Sequence, residues 1–154
     1  MHRHGYKGRK FSLKKQPREL MLRNLATSVI LHEKVKTTLE KAKEVQPMVE
    51  RMISIAKKES LSGDRMMHAY LLDEQAVYKL QTELAKLYKE REGGYTRITK
   101  IGFRSGDSAK MAMIELIDVE KLDKAQAKKE SENKETETKK EVKTAVKKTV
   151  KGKK

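Results

Sequence analysis

Cationic side chains and aromatic rings alternate at the start of the chain. Residues 1–16 hold six Lys or Arg and no acidic residue, and Tyr6 and Phe11 stand among them. Cations bind phosphate groups and rings stack on unpaired bases, so this combination is suited to contacting RNA. A solubilising leader without fixed structure and a mitochondrial presequence are two alternatives that the same composition allows. The side chains assigned to an RNA contact here are Arg3, His4, Lys7, Arg9, Lys10, Lys14 and Lys15.

A second group of cations lies in a segment whose pattern predicts a β-hairpin. β-favouring residues from Tyr95 to Phe103 lead into a turn at residues 105–108, and residues 111–117 are almost continuously apolar. We therefore expect the second strand to be central in its sheet and covered on both faces. Ordinary solvated charge is the alternative for any one cation here. The candidates for RNA contacts in this hairpin are Arg97, Lys100 and Arg104.

The spacing within the hairpin also points to an irregular first strand. Ile98 and Ile101 are three residues apart, so a regular strand would place them on opposite faces. Arg97 and Arg104 are seven residues apart and would be separated in the same way. A β-bulge between them would bring both arginines to one side, because one extra residue shifts the alternation.

Catalytic and metal-binding arrangements fail on residue type or spacing. His32-Glu33 begins like a zinc-protease motif, but Lys36 occupies the position of the second histidine on the same helical face. His2 and His4 have no third ligand nearby, and the chain has no cysteine and no phosphate-binding glycine loop. We predict no enzyme activity, metal, cofactor or small-molecule substrate, and a hydrolase built on His32 and Glu33 is the alternative.

A helix, a short strand and a second helix are predicted early in the chain. An apolar stripe predicts a helix from about Pro17 to Leu31, and Val35 and Thr37 alternate with lysines as in a half-buried strand. Thr37 and Glu40 have the spacing of a capping box, so the second helix should begin near Leu39. Its apolar stripe is Ala42, Val45, Val49, Met52, Ile53 and Ala56.

Two further helices complete the predicted helical part. The stripe of the second helix continues beyond Pro47, which favours a kink there rather than an end. Residues 60–64 interrupt the pattern, and residues 66–71 suggest a short third helix. Asp73 can cap a fourth helix, which we expect Gly93-Gly94 to end.

The net charge of +15 is concentrated at the two ends of the chain. Residues 17–120 carry eighteen basic and sixteen acidic side chains, whereas residues 121–154 carry thirteen basic and six acidic ones. We predict a basic N-terminal arm at 1–16, a globular domain at 17–118 and a low-complexity Lys/Glu-rich tail at 119–154 that is disordered when free. Apolar runs stay far below the roughly 18 residues of a membrane span, so we expect a soluble, unsecreted protein without a membrane partner.

Short motifs of defined order run through the chain: Arg23 to Ser28, His32-Glu33, Thr37-Thr38, Ala42-Lys43, Gly93 to Ile98 and Gly102 to Asp107. In this order and spacing, the chain resembles the bacterial large-subunit ribosomal protein bL17 family over about residues 1–118. The resemblance implies an α+β fold with about four helices packed around a small mixed three-stranded sheet. It also implies a cytoplasmic ribosomal protein that binds large-subunit rRNA near the peptide tunnel exit, beside other large-subunit proteins.

The resemblance further implies which cations face rRNA, namely Arg9, Lys10, Arg18, Arg23, Arg97 and Arg104. The second hypothesis is a free RNA- or DNA-binding protein, such as an RNA chaperone or a nucleic-acid-compacting factor, which the arm and tail alone would permit. A ribosomal protein should sediment with large subunits at moderate salt, whereas a free binder should spread over all nucleic acid.

Overall fold

The computed structural model describes residues 8–118, which begin with a helix, a strand and a second helix. The predicted RNA contacts Arg3, His4 and Lys7 and the predicted tail at 119–154 lie outside the described residues. Helix α1 spans Lys15–His32, so it begins two residues before the predicted Pro17. Strand β1 spans Lys34–Thr38, and the predicted short strand is confirmed.

Helix α2 spans Leu39–Ala56, and its predicted start is confirmed. The predicted capping box is wrong: Thr38 is the residue before the helix, and its side chain makes no capping hydrogen bond. Thr37 belongs instead to β1, where it pairs with Ala112, so strand pairing overrides the local capping signal. The helix runs through Pro47, and all six residues of the predicted stripe are buried.

Helix α3 spans Leu61–Tyr70 and begins five residues earlier than predicted. Ser60 caps it, because its Oγ accepts a hydrogen bond of 3.1 Å from the N–H of Gly63. Gly63 is buried against α2, where an added Cβ would lie only 2.9 Å from Cγ2 of Ile55. A glycine therefore lets α3 approach α2 closely.

Helix α4 consists of three consecutive segments: an α-helical start at Glu74–Lys79, a π-helical turn at Leu80–Leu84 and a last α-helical turn at Ala85–Leu87. The predicted cap is confirmed, since Oδ1 of Asp73 accepts from the N–H of Gln75 at 2.9 Å. The prediction that the glycine pair at 93–94 ends the helix is wrong. The chain leaves the helix at Tyr88, which is buried and whose hydroxyl donates to the carbonyl of Ile117.

Strands β2 (Thr96–Phe103) and β3 (Lys110–Leu116) form the predicted hairpin, and the sheet order is β1-β3-β2. The central position of β3 is confirmed. The sheet is antiparallel throughout, so the prediction of a mixed sheet is wrong in this respect. Strands β1 and β2 run in the same direction, and β3 runs between them in the opposite direction.

One face of β3 packs on the helices and the other does not. Ala112, Ile114 and Leu116 are buried, and both β2 and β3 contact α2. The alternate residues Met111, Met113 and Glu115 are only half-buried, so the prediction that both faces are covered is wrong. The largest fully buried side chains of the core are Tyr88, Tyr95, Ile30, Ile53, Met67, Leu80, Leu84 and Ile114.

Candidate nucleic-acid interface

The exposed side of the sheet carries a row of cations on each edge strand. Side chains alternate across a strand, so the half-buried residues of β3 share this side with their partners on β1 and β2. Arg97 pairs with Glu115, and Lys34 and Lys36 pair with Glu115 and Met113. We call this side the outer face and define it by Lys34, Lys36, Thr38, Arg97, Thr99, Gly102, Arg104, Met111, Met113 and Glu115.

A β-bulge brings Arg104 onto the outer face. The register of β2 against β3 shifts between Lys100 and Gly102, which confirms the bulge that the isoleucine spacing predicts. Gly102 then lies opposite Met111, and the N–H of Arg104 donates to the carbonyl of Ala109 at 2.9 Å. Arg97 and Arg104, which a regular strand would separate, therefore lie on the same side.

Arg104 is oriented by an acid in the hairpin turn. Its Nε donates to Oδ1 of Asp107 at 2.9 Å, and its Nη2 donates to Oδ2. Oδ1 also accepts from the N–H of Ala109 at 3.2 Å. The Arg104 guanidinium, followed by this backbone N–H, lowers the pKa of Asp107 to about 2, and Asp107 in turn raises the pKa of Arg104. The guanidinium is thus fixed in direction while about half of its surface stays exposed.

The outer face contains two lysines that the sequence analysis did not assign to RNA. Lys34 and Lys36 are both exposed on β1. The sequence pattern could have identified these two lysines as candidates for an RNA contact. They alternate with Val35 and Thr37, and alternation on a strand with one buried face places both charges on the solvent side. The assigned residue Lys100 pairs with Ala112, so its position belongs to the opposite face, and it is not grouped with Arg97 and Arg104.

The described part of the arm is attached to the body by Arg9. Its Nη1 lies 3.0 Å from Oε2 of Glu44, and its Nε donates to Oε2 of Glu40. These hydrogen bonds, above all the one that Arg9 donates to Glu44, raise the pKa of Arg9, and the hydrogen bond from Arg9 lowers the pKa of Glu40. Glu40 lies two residues after Thr38, which pairs with Met111, so the arm is held at the end of the sheet that carries the bulge.

The remaining assigned cations lie just before and within the first turn of α1. Lys10, Lys14 and Lys15 are exposed, and Lys15 forms an exposed pair of 3.9 Å with Glu19. Nη1 of Arg18 donates to the carbonyl of Leu13 at 3.4 Å. An RNA contact for each of them stays a prediction.

Arg23 has a role within the fold. Its Nε donates to the carbonyl of Tyr70 at 2.7 Å, and its Nη2 donates to the carbonyl of Ala69 at 2.8 Å. The guanidinium carbon also lies 5.9 Å from the centre of the Tyr70 ring. Arg23 therefore caps the last turn of α3, and its predicted contact with rRNA stays a prediction.

The His32-Glu33 pair ends a helix. Glu33 has a left-handed backbone with φ of 64°, and its N–H donates to the carbonyl of Val29 at 2.9 Å. Its carboxylate forms an ion pair with Lys79, which also donates to the carbonyl of Leu31 at 2.9 Å. Among residues 8–118, no group of three His, Cys, Asp or Glu side chains could hold a metal ion. No helix in this same range is long and apolar enough to cross a membrane.

The sequence matches the family described as Ribosomal protein L17 over residues 21–117. The chain belongs to this family. It is 48% identical over 116 residues to the large ribosomal subunit protein bL17 of Erythrobacter litoralis (strain HTCC2594), an alignment that covers 75% of this chain and 83% of that protein. The bL17 protein of Paramagnetospirillum magneticum (strain ATCC 700264 / AMB-1) is 46% identical over 116 residues with the same two coverages.

Membership in this family confirms the resemblance and settles the class of protein. L17 proteins are structural constituents of the ribosome and not enzymes, so this chain is a structural protein of the large ribosomal subunit, which is cytoplasmic in bacteria. The role of Glu33 at the end of α1 is in keeping with this, because its carboxylate is already paired with Lys79.

Proposed function

We propose that the chain binds large-subunit rRNA through the outer face of its sheet, together with the basic arm, and helps to hold that RNA together near the exit of the peptide tunnel. The observation that carries the RNA contact is the bulge in β2, which gathers Lys34, Lys36, Arg97 and Arg104 on one exposed side. The placement near the tunnel exit, beside neighbouring large-subunit proteins, rests on the L17 family alone.

The charge balance of the outer face favours an anionic partner. The outer face carries four cations and one acid, Glu115, which lies 3.9 Å from Arg97. Asp107 in the hairpin turn pairs with Arg104, so the local balance is an excess of two positive charges. Arginine has a planar donor fork that fits phosphate and stacks on bases, whereas lysine acts as a point charge. A sheet with arginines at one edge and lysines at the other is therefore suited to a phosphate backbone that crosses it.

The first experiment compares two variants of the full chain with equal net charge. The outer-face variant carries Lys34→Gln, Lys36→Gln, Arg97→Gln and Arg104→Gln. The control carries Arg51→Gln, Lys58→Gln, Lys86→Gln and Lys89→Gln, at exposed positions within α2 and α4 or in the turns that follow them. We expect the outer-face variant to flatten the slope of log affinity for rRNA against log salt by about 0.7 to 0.9 for each phosphate that it no longer neutralises. Equal weakening in both variants would show that only diffuse charge matters.

The second experiment separates a ribosomal protein from a free nucleic-acid binder. The full chain is added to a cell extract at moderate salt, and ribosomal subunits are separated by sedimentation. We expect the chain to travel with large subunits. An even distribution over small subunits, large subunits and DNA would contradict the proposal and favour the free binder.

A further inference from the structure

The described part of the arm crosses the start of α2, and a glycine lets it approach closely. Gly8 has φ of 103°, in the left-handed region that favours glycine. A Cβ built on Gly8 would lie 2.7 Å from Oε1 of Glu44, so the backbone of the arm passes directly over this carboxylate. The next residue, Arg9, reaches both Glu44 and Glu40. The arm is therefore held against α2 by its backbone path as well as by its charge.

One arginine and two carboxylates form this attachment, which we call the latch and define by Arg9, Glu40 and Glu44. The two acids are four residues apart on α2, so they are neighbours on one face of the helix. The planar fork of arginine offers a separate donor to each acid, Nε to Glu40 and Nη1 to Glu44, the latter at 3.0 Å. Only 22% of the Glu44 side chain is exposed. The guanidinium thus has two carboxylate partners within the chain itself.

Between the latch and α1 the arm makes a tight turn with an uncommon backbone. Phe11 and Ser12 both have φ of 53°, and the N–H of Leu13 donates to the carbonyl of Lys10 at 3.1 Å. Positive φ at both central residues is the geometry of a type I′ turn, which glycine and asparagine favour and bulky side chains do not. Such a conformation persists where the surrounding structure enforces it. Here the latch precedes the turn and α1 begins at Lys15, so the turn is held at both ends.

We propose that Arg9 is a positioning residue and not a phosphate contact: the latch holds the arm beside the bulge end of the outer face, so that both meet the same stretch of rRNA. The inference rests on the proposed rRNA binding and names how the arm takes part in it. Glu40 follows Thr38 by two residues, and Thr38 pairs with Met111, as Gly102 does from the other side. A segment that is already held in its bound position loses less freedom on binding, which raises affinity without a new contact.

The charges of the latch allow a test in which positioning and diffuse attraction predict opposite results. Replacing both acids by glutamine makes the chain more positive by two charges, and a protein that acts through net charge alone should then bind RNA more tightly. If the acids hold the arm in place, the same change should weaken binding. Lys43 donates to Glu40 at 3.4 Å and would also be released, which adds to the attraction and does not reduce it.

The test measures the affinity of the full chain for protein-free large-subunit rRNA from the organism that encodes it. The latch variant carries Glu40→Gln and Glu44→Gln. The control carries Glu90→Gln and Glu92→Gln, which remove the same charge from exposed positions that form no ion pair within residues 8–118. We expect the latch variant to bind roughly 2- to 30-fold more weakly than the control, the range that two surface ion pairs supply. Equal or tighter binding by the latch variant would overturn the inference.

Replacing the arginine separates a positioning residue from a phosphate contact. Arg9→Gln is compared with Arg51→Gln, which removes the same charge from an exposed position on α2. We expect Arg9→Gln to bind more weakly than this control, with the parental slope of log affinity against log salt, and to add no further loss to the latch variant, because both ends belong to one interaction. A slope flatter than that of the parent by about 0.7 to 0.9, which is the loss of one phosphate contact, would overturn the inference and assign Arg9 to RNA.

Amide hydrogen exchange measured by NMR on the free chain reports on the latch without RNA. The N–H of Leu13 closes the turn, and we expect it to exchange faster in the latch variant and in Arg9→Gln than in the two controls. Unchanged exchange would overturn the inference. Thermal unfolding of every variant checks folding, and loss of surface ion pairs should leave Tm nearly unchanged.

The outcomes distinguish this inference from the proposed function. If the parent binds rRNA with a steep salt dependence and the latch variant binds like its control, the inference is wrong and rRNA binding stands. If the parent does not bind the rRNA at all, both are wrong.

Discussion

Replacing Arg23 can distinguish a structural role from an RNA contact, because the two roles predict different effects on stability. Its guanidinium donates two hydrogen bonds to the carbonyls that end α3, more than forty residues away in sequence. The substitution Arg23→Met keeps most of the apolar stem and removes both donors and the charge. The cap predicts a loss of stability, whereas a pure RNA contact predicts none.

The magnitude follows from the geometry. A hydrogen bond from a charged donor contributes about 1.5 to 3 kcal/mol when buried. Arg23 is half-buried and the carbonyls at a helix end can be rehydrated, so the two bonds together should contribute about 2 kcal/mol. For a folded body of about 110 residues this corresponds to a decrease in Tm of about 8 °C.

Urea unfolding of Arg23→Met is compared with Arg51→Met, which removes the same charge from an exposed position on α2. Arg51 forms no side-chain hydrogen bond with any residue in the range 8–118, so its replacement should change the free energy of unfolding by less than about 0.5 kcal/mol. Hydrogen exchange should become faster at the end of α3 in Arg23→Met only. Unchanged stability of Arg23→Met together with weaker rRNA binding than Arg51→Met would refute the cap and support an RNA contact.

Two further predictions test the core and the hairpin turn. Ile30→Ala should destabilise the chain by about 2 to 5 kcal/mol because Ile30 is fully buried, whereas Leu20→Ala, at 48% exposure on the same helix, should change the free energy of unfolding by much less. Equal urea midpoints would show that the core is misplaced. Since the pKa of Asp107 is lowered from 3.8 to about 2, its pairing stabilises the fold fully above pH 4, and this contribution is lost as the pH falls through 2. NMR titration of Asp107 in Arg104→Ala should move its pKa back toward 3.8, and an unchanged value would contradict the pairing.

Sequence patterns correctly predicted the structural features that are determined by residues close together in the chain. The stripe of α2 has helical spacing from Ala42 to Ala56, and every predicted member is buried. Asp73 precedes α4 with the spacing of an N-cap and acts as one. The spacing of Ile98 and Ile101 signalled the bulge because alternation in a strand has a strict period of two.

Long-range contacts account for the predictions that failed. Thr37 has a capping-box partner at Glu40, but pairing with Ala112 keeps it in the strand. The glycine pair at 93–94 has the chemistry of a helix stop, yet the helix ends earlier, where Tyr88 is anchored to Ile117. No spacing within α1 could reveal that Arg23 caps another helix, since the two segments meet only in the folded chain.

The bulge in β2 decides what kind of surface the hairpin presents. In a regular strand Arg104 would lie on the side of Ala112, away from Lys34 and Lys36, because a shift of one residue moves every side chain to the other face. The number of cations would be the same, but they would be divided between two sides of the sheet. One extra residue, tolerated because Gly102 can adopt φ of 139°, therefore converts scattered charge into a one-sided basic surface.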